Sequence, residues 1–397
     1  MDLSGGGTTW TLVDTQSILV WSPTTLLNLL SLFTDHFVQA ILSIYSPTCN
    51  FFLTTIAAEM NNLDSYPPPF RPQNNQTHNL DPYNPSSDPN EYPDPAPIID
   101  LRCLKQNPDE QKKLEEACKD WGLFRLANHD IPLNLLNQLQ DLARDLFSIS
   151  FESKQALTSD SPVSYFWGTA ALTPKGTALA RGPQSINWLE GFNIPLSQLS
   201  GFDHQVPLLD SFRVLLEEYG NHLSRIARTL YETMAKNLDL DPETSKSFLS
   251  EETGIFRVYR YPANPNADAA LGMEVHTDSS VLSILHQNDG VNGLEVLRDD
   301  QWKTVKSIPN SLIVNLGDMM QAISDDKFKS VKHRVKVNKH RERISICYFV
   351  FPGEDVLIQS STYKPFSYND FRAQIQEDVK TVGYKVGLER FKINEDC

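Results

Sequence analysis

A chain of 397 residues, 40% of them hydrophobic, is long enough to bury a sizeable core in one large domain or two ordinary ones. A net charge of −15 argues against any general affinity for nucleic acid or an anionic membrane, since both are themselves negative, and leaves a small-molecule substrate as the better partner. The five cysteines (Cys49, Cys103, Cys118, Cys347, Cys397) are odd in number and scattered without CxxC spacing, so neither a disulfide framework nor a zinc site is indicated, and a reducing cytoplasmic or nuclear location is expected.

Residues 1–59 carry an apolar series (Ile18 to Trp21, Leu26 to Phe33, Phe37 to Tyr45, Phe51 to Ile56), yet no Lys or Arg precedes Arg71. A secretory signal needs a basic start and a transit peptide is Arg-rich, so neither fits. Pro23, Asn28, Asp35 and His36 interrupt the roughly twenty apolar residues of a membrane span. The segment is expected to be an N-terminal extension, with Met60 as an alternative start. Residues 60–97 are crowded with Pro, Asn, Asp and Ser (Pro67 to Pro69, Pro82, Pro85, Pro89, Pro93, Pro95, Pro97), a composition that reads as a disordered leader. The folded part is expected to begin near Ile98.

Two helical patterns follow between Asp109 and Phe151, separated by an apolar stretch from Gly122 to Ala127 with the character of a strand. Phe212, Leu215, Leu216, Tyr219, Leu223, Ile226, Leu230 and Met234 form a stripe at helical spacing, which predicts a long amphipathic core helix. After Gly254 the period changes. Short β-prone runs (Phe256 to Tyr261, Val281 to His286, Leu294 to Leu297, Ser311 to Asn315, Ile344 to Phe351) alternate with Asn, Asp, Gly and Pro. That pattern predicts a compact antiparallel barrel or jelly roll, closed by a helix from about Tyr368 to Val382. The organisation expected is thus a mainly helical region over 98–250 and a β core with its closing helix over 251–393.

His276-Thr277-Asp278 stands at the entrance to one β run, and residues two apart on a strand share a face, so one imidazole and one carboxylate can meet one ion. The third candidate ligand is His333, in Lys332-His333-Arg334-Val335. Taken alone it reads as an ordinary solvated strand residue. Two imidazoles and one carboxylate on one side of an octahedral metal leave positions open, as an iron(II) oxygenase requires, whereas zinc favours a closed tetrahedral set. Ten residues past His333, Arg343-Ile344-Ser345 opens an apolar strand in which Arg343 and Ser345 share a face. An arginine turned into a barrel interior needs an anion, and its planar fork suits the distal carboxylate of 2-oxoglutarate, with Ser345 as a hydroxyl donor. The alternative for Arg343 is a structural ion pair.

Residues 98 to 393 resemble the plant 2-oxoglutarate and iron(II)-dependent dioxygenase superfamily. The segments that carry the resemblance are Cys118-Lys119-Asp120-Trp121-Gly122-Leu123-Phe124, Asn128-His129, Tyr261-Pro262, His276-Thr277-Asp278, Asn315-Leu316-Gly317-Asp318, His333-Arg334-Val335 and Arg343-Ile344-Ser345. The resemblance implies an α+β fold with a double-stranded β-helix (jelly-roll) core flanked by helices. It further implies His276, Asp278 and His333 as ligands of Fe(2+), and Arg343, Ser345 and Tyr261 as the grip on 2-oxoglutarate, with O2 consumed and ascorbate as reductant. Three further segments resemble the gibberellin 2-oxidases of the C20 branch: Tyr165 to Thr169, Asn187 to Pro195, and the tail from Phe366 to Leu388. Three positions depart from that pattern. Tyr259 stands where the family usually has Asn, Ala263-Asn264 replaces Pro-Cys, and Asp130 replaces Gly.

The implied reaction is hydroxylation of a gibberellin-type diterpenoid acid with release of succinate and carbon dioxide. Asp278 favours hydroxylation over halogenation, because a halide would need that carboxylate's place. Trp167, Trp188, Phe192, Tyr348 and Phe349 are candidate walls of the substrate pocket, each of which also reads as a plain core aromatic. No anchor for the substrate's carboxylate is identifiable. His286 and His340 read as bystanders, and Trp121 and Phe124 as packing residues. The alternatives are a dioxygenase of another plant metabolite (an auxin, a flavonoid or an alkaloid) and a non-catalytic small-molecule binding protein, against which the triad and the Arg-x-Ser pair speak.

Overall fold

Alternation along the strands sets the architecture. The structure, a computed structural model, describes residues 63–71, 94–157, 163–169, 171, 186–201, 206–267, 270–287 and 290–393. The extension expected over residues 1–59 lies outside the described residues.

Strands β1 (Ile98–Asp100), β2 (Leu123–Ala127), β3 (Ser164–Trp167) and β4 (Glu190–Pro195) precede β5 (Ser250–Tyr261), β6 (Leu271–His276), β7 (Leu282–His286) and β8 (Leu294–Arg298). Then come β9 (Gln301–Thr304), β10 (Leu312–Leu316), β11 (His333–Lys336) and β12 (Arg343–Phe351), and a short ribbon of β13 (Leu357–Ile358) with β14 (Phe366–Ser367). One eight-stranded sheet has the order β1-β2-β10-β7-β12-β5-β4-β3, antiparallel except where β1 meets β2, and a four-stranded sheet has the order β6-β11-β8-β9. The helices are α1 (Leu101–Leu104), α2 (Pro108–Asp120), α3 (Leu133–Ser148), α4 (Phe151–Leu157), α5 (Pro207–Asn237), α6 (Pro242–Lys246), α7 (Asp318–Ile323) and α8 (Tyr368–Thr381).

The large sheet is covered on one face by α2, α3 and α5. Leu139, Phe212, Leu216 and Leu223 meet Phe256, Val258, Ile284, Ile344 and Ile346 in one apolar cluster. The opposite face meets the small sheet, where Tyr259, Tyr261 and Cys347 pack with Met273 and Val335. Strands buried on both faces read as continuous apolar runs, which is why β12 is apolar from Ile346 to Phe351. The stripe on α5 packs as its spacing requires, with Leu215 only half-buried at its edge. Helix α8 starts on a reciprocal cap, the Ser367 hydroxyl accepting from Asp370 N while Asp370 accepts from Ser367 N. Such a box is worth about 1 kcal/mol and pins the register of the closing helix.

Two expectations change. The stretch 98–250, read as mainly helical, also supplies β1 to β4, and these complete the large sheet, so both regions share one core. Residues 63–71 belong to the expected leader yet are built into the protein. Ser65 is buried and its carbonyl accepts from the buried Lys154 ammonium and, at 2.9 Å, from Arg260. Phe70 is buried between Trp167 and Trp188, with ring centroids at 6.0 and 4.4 Å. Asp94 likewise takes two hydrogen bonds from Arg125, at 2.8 and 2.6 Å. Average composition hides such single contacts: one phenyl ring and one carbonyl over buried cations suffice to fix a short segment.

Candidate active site

His276 closes β6 and His333 opens β11, and the two residues are paired in register across the small sheet. Their ring centroids are 4.2 Å apart. Nδ1 of His276 lies 2.8 Å from the Glu274 carbonyl, and Nδ1 of His333 lies 3.1 Å from that of Val331. A carbonyl only accepts, so both Nδ1 atoms donate and both Nε2 atoms are turned toward Asp278. Asp278 Oδ1 is 3.8 Å from Nε2 of His276 and 3.7 Å from Nε2 of His333. Its Oδ2 is occupied separately, accepting from Ser283 Oγ at 2.8 Å and Asn315 Nδ2 at 3.3 Å. One ligand atom from each of the three residues thus lies within 4.8 Å of the others, a group that could hold a metal ion.

The electrostatics agree. Burial, and next the His333 ring beside it, holds His276 well below the usual imidazole range and therefore neutral at pH 7. For Asp278 burial works upward, but the two imidazoles and the Ser283 hydroxyl outweigh it and keep the carboxyl below its ordinary value. His333 is buried, not the solvated strand residue that its charged neighbours suggest.

These residues form part of the lining of a cavity of about 850 Å³. Its opposite wall comes from β5 and β12, which pair so that Arg343 faces Tyr261, Ser345 faces Tyr259 and Cys347 faces Arg257. Arg343 is only 2% exposed. Its Nη2 donates to Gln287 Oε1 at 2.6 Å, Nη1 reaches Ser345 Oγ at 3.5 Å, and its guanidinium sits 5.0 Å from the centre of the Tyr261 ring. Nε has no partner, and among the described residues no carboxylate pairs with the group, so the structural ion pair is not what holds it. A buried cation in this state is costly without an anion, and a carboxylate from a ligand in the cavity would supply one.

Of the candidate pocket walls, Phe349 lines the cavity and the other four do not. Phe192 packs on Phe147 and Tyr165, and Tyr348 on Phe256, all on the helix side of the sheet. Trp167 and Trp188 are taken up by Phe70. Strand parity gives the reason: Phe192 and Tyr348 sit out of phase with Arg257 and Cys347. His286 is out of phase with Ser283 and Leu285 in the same way, and lies buried near Tyr219, away from the cavity. His340 is exposed, Phe124 is core, and Trp121 carries the Arg298 guanidinium over its ring at 4.8 Å.

Parity would also have found what reading by motif missed. Gln287, which accepts from Arg343 without lining the cavity, continues the series Ser283, Leu285, and Arg257 precedes Tyr259 and Tyr261 on the cavity face of β5. Arg257 donates to Asn193 Oδ1 at 3.1 Å and to the Tyr259 hydroxyl at 3.3 Å, and lies over the Phe349 ring at 5.8 Å. Burial pushes the Tyr259 hydroxyl up to about 12, so it stays protonated.

Residues 252–352 match the profile of the 2OG-Fe(II) oxygenase superfamily, and residues 96–205 match that of the non-haem dioxygenase in morphine synthesis N-terminal region. Gibberellin 2-beta-dioxygenase 8 of Arabidopsis thaliana is 34% identical over 304 residues, covering 74% of this chain and 86% of the relative. The chain belongs to the 2OG-Fe(II) oxygenase superfamily. The oxygenase is also similar to the solved structure of JOX2 in complex with 2OG, Fe and JA, with a TM-score of 0.60, 30% identity, and coverage of 71% of this chain and 85% of that one. A rice dioxygenase for auxin oxidation shares the fold, with a TM-score of 0.59 at 24% identity, over 75% of this chain and 100% of that one. The oxygenase is an enzyme with a double-stranded β-helix core and uses Fe(2+) and 2-oxoglutarate. Among the described residues no helix is long and apolar enough to cross a membrane.

Proposed function

We propose that this oxygenase hydroxylates a gibberellin-type diterpenoid acid, releasing succinate and carbon dioxide, with His276, Asp278 and His333 holding Fe(2+) and with Arg343, Ser345 and Tyr261 holding 2-oxoglutarate. The observation that carries the reading is the convergence of two imidazole Nε2 atoms on Asp278 Oδ1 in the cavity that also receives the unneutralised Arg343. Iron, with 2-oxoglutarate, O2 and ascorbate as reductant, supplies the oxidising chemistry. The protein's own residues bind and orient. The Glu274 and Val331 carbonyls aim the two rings, while Ser283 and Asn315 turn Asp278 so that Oδ1 alone faces them. Arg343 offers a planar fork to a carboxylate, and Tyr261 packs beneath it and excludes water.

Two features support an acid of diterpenoid size as substrate. The cavity volume lies within the roughly 300–1,000 Å³ typical of small-molecule sites, and Met273, Leu285, Phe349 and Leu388 give it apolar surface. Arg257, on the cavity face of β5 beside Asn193 and Tyr259, is the cation we assign to a substrate carboxylate. The relatives named for gibberellin oxidation support the same class. A cytoplasmic or nuclear location accords with the unpaired thiols of Cys103, Cys118 and Cys347.

Purified protein given iron, ascorbate, 2-oxoglutarate and a panel of gibberellins should form succinate in step with a product one oxygen heavier. Turnover of a different plant acid and of no gibberellin would overturn the substrate. Failure to form substrate-dependent succinate with any acid, alongside tight binding of one, would favour a binding module. Arg257→Met should raise the KM of the acid about 30-fold while leaving that of its methyl ester nearly unchanged, since a charged hydrogen bond is worth about 2 kcal/mol.

A further inference from the structure

Lys385 belongs to the stretch after α8 that returns along the cavity, where Tyr384, Val386, Gly387 and Leu388 also form its wall. Its ammonium has three donors and meets three acceptors: the Thr277 carbonyl at 2.8 Å, Ser279 Oγ at 3.0 Å and Asp318 Oδ2 at 2.7 Å. Thr277 and Ser279 flank Asp278 in the chain. Asp318 is bound to the same loop twice more, accepting from Thr277 Oγ1 at 3.2 Å and donating its N–H to the Asp278 carbonyl at 2.8 Å. A rim lysine in water would be exposed and its ion pair worth 0 to about 1 kcal/mol. Here the side chains of Lys385 and Asp318 are 17% and 5% exposed.

The surroundings are built to admit this contact. Gly387 has φ +79°, a backbone conformation that favours glycine and turns the tail so that Lys385 and Asp318 lie beside it, 3.5 and 3.4 Å from where a Cβ would stand. A Cβ on Gly317 would overlap the Ser280 carbonyl, so Asp318 can approach the loop only because its neighbour has no side chain. The other side of the tail is held by Asp378, which accepts from Val386 N at 3.2 Å and Arg390 Nε at 2.9 Å.

We propose that Lys385 is a positioning residue whose ammonium ties the C-terminal wall of the cavity to the loop carrying His276 and Asp278, so that wall closure and the spacing of those two side chains are set together. The proposal rests on reading the triad as the iron site and goes beyond it, because it makes the C-terminal wall of the cavity answerable to the metal loop. A substrate that displaces residues 384–389 is then felt at Asp278 through one side chain.

Amide hydrogen exchange on the metal-free protein tests the tether. In Lys385→Met, exchange should quicken about tenfold or more in residues 277–281 and in residues 384–391 together, while residues 343–351 stay as in the parent. Lys385→Met with Asp318→Asn, which leaves no buried unpaired carboxylate, should show the same paired change in a stably folded protein. Quickening confined to residues 384–391, or no change in either segment, would overturn the tether. Cobalt(II), whose visible absorption reports its ligands, should bind about 10-fold more weakly to either variant, the scale on which partners of metal ligands act. Cobalt binding by the parent that is indifferent to His276→Ala would count against the iron site itself, and the exchange result would still decide the tether.

Discussion

The two faces of the eight-stranded sheet are made by the same strands and share almost no chemistry. Facing the helices are Phe256, Val258, Leu282, Ile284, Ile344 and Ile346. Interleaved with them, facing the cavity, are Arg257, Tyr259, Ser283, Leu285, Arg343 and Ser345. Pleating sends neighbours to opposite sides, so each strand serves stability and chemistry in alternate positions. The helix face is closed and gains roughly 1.5–3 kcal/mol for each large apolar side chain it buries. The cavity face keeps polar and charged groups, among them Arg343, whose Nε has no partner.

That division can be broken from either side. The largest effect should come from Asp278→Ala: turnover should fall below detection, a loss of more than about 100-fold given that even indirect partners of a metal ligand matter 10- to 100-fold, with the circular dichroism and melting of the metal-free protein preserved. Retained activity would show that the convergence is not the iron site. Next, Arg343→Ala should raise the 2-oxoglutarate concentration for half-maximal rate roughly 30-fold or more, the scale of about 2 kcal/mol for a buried charge pair, with kcat changed far less. On the helix face, Leu223→Ala should reduce stability by about 2–5 kcal/mol in urea unfolding and leave the 2-oxoglutarate requirement of the folded enzyme alone. A shift in that requirement would mean that the two faces are coupled through the sheet.

The smallest effect concerns His286, a buried polar group on the helix face. Burial, with His129 a lesser cause, holds its ring down to about 3, and neither ring nitrogen has a partner. The unfolded chain takes up this proton near pH 6.5 and the folded one does not, so stability is lost as pH falls below about 6.5, the loss being complete near 3. Between pH 7 and 5 the parent should lose about 2 kcal/mol more than His286→Leu. Equal slopes for the two proteins would show that His286 is solvated.

His276-x-Asp278 was legible as a short motif at the end of β6, whereas His333 stands on the separate strand β11. The Arg-x-Ser pair was legible because residues two apart on a strand share a face. The long helix was legible for the same reason at its own period. What sequence reading missed were contacts whose partners lie far apart in the chain. Trp167 and Trp188 looked like pocket walls until Phe70, from a segment whose composition suggested disorder, filled the space beside them. For Phe192 and Tyr348 the sequence leaves pocket wall and core aromatic both open, because an aromatic in a strand buried on both sides carries no sign of which side it takes; both pack on the helix side.

The sequence by itself carried the resemblance to the family, which implies the six residues proposed to hold iron and 2-oxoglutarate, and its periodicity pointed to the jelly-roll core and the long helix, since spacing along the chain encodes which residues share a surface. Only the tertiary structure decided which aromatics close the cavity, that Arg257 enters it, that Gln287 holds Arg343, and that Lys385 reaches the loop around Asp278. Those facts depend on strand parity across pairings such as β5 with β12 and on a tail more than a hundred residues from the loop it touches. No local pattern in the chain records which distant backbone will lie within 3 Å of a side chain.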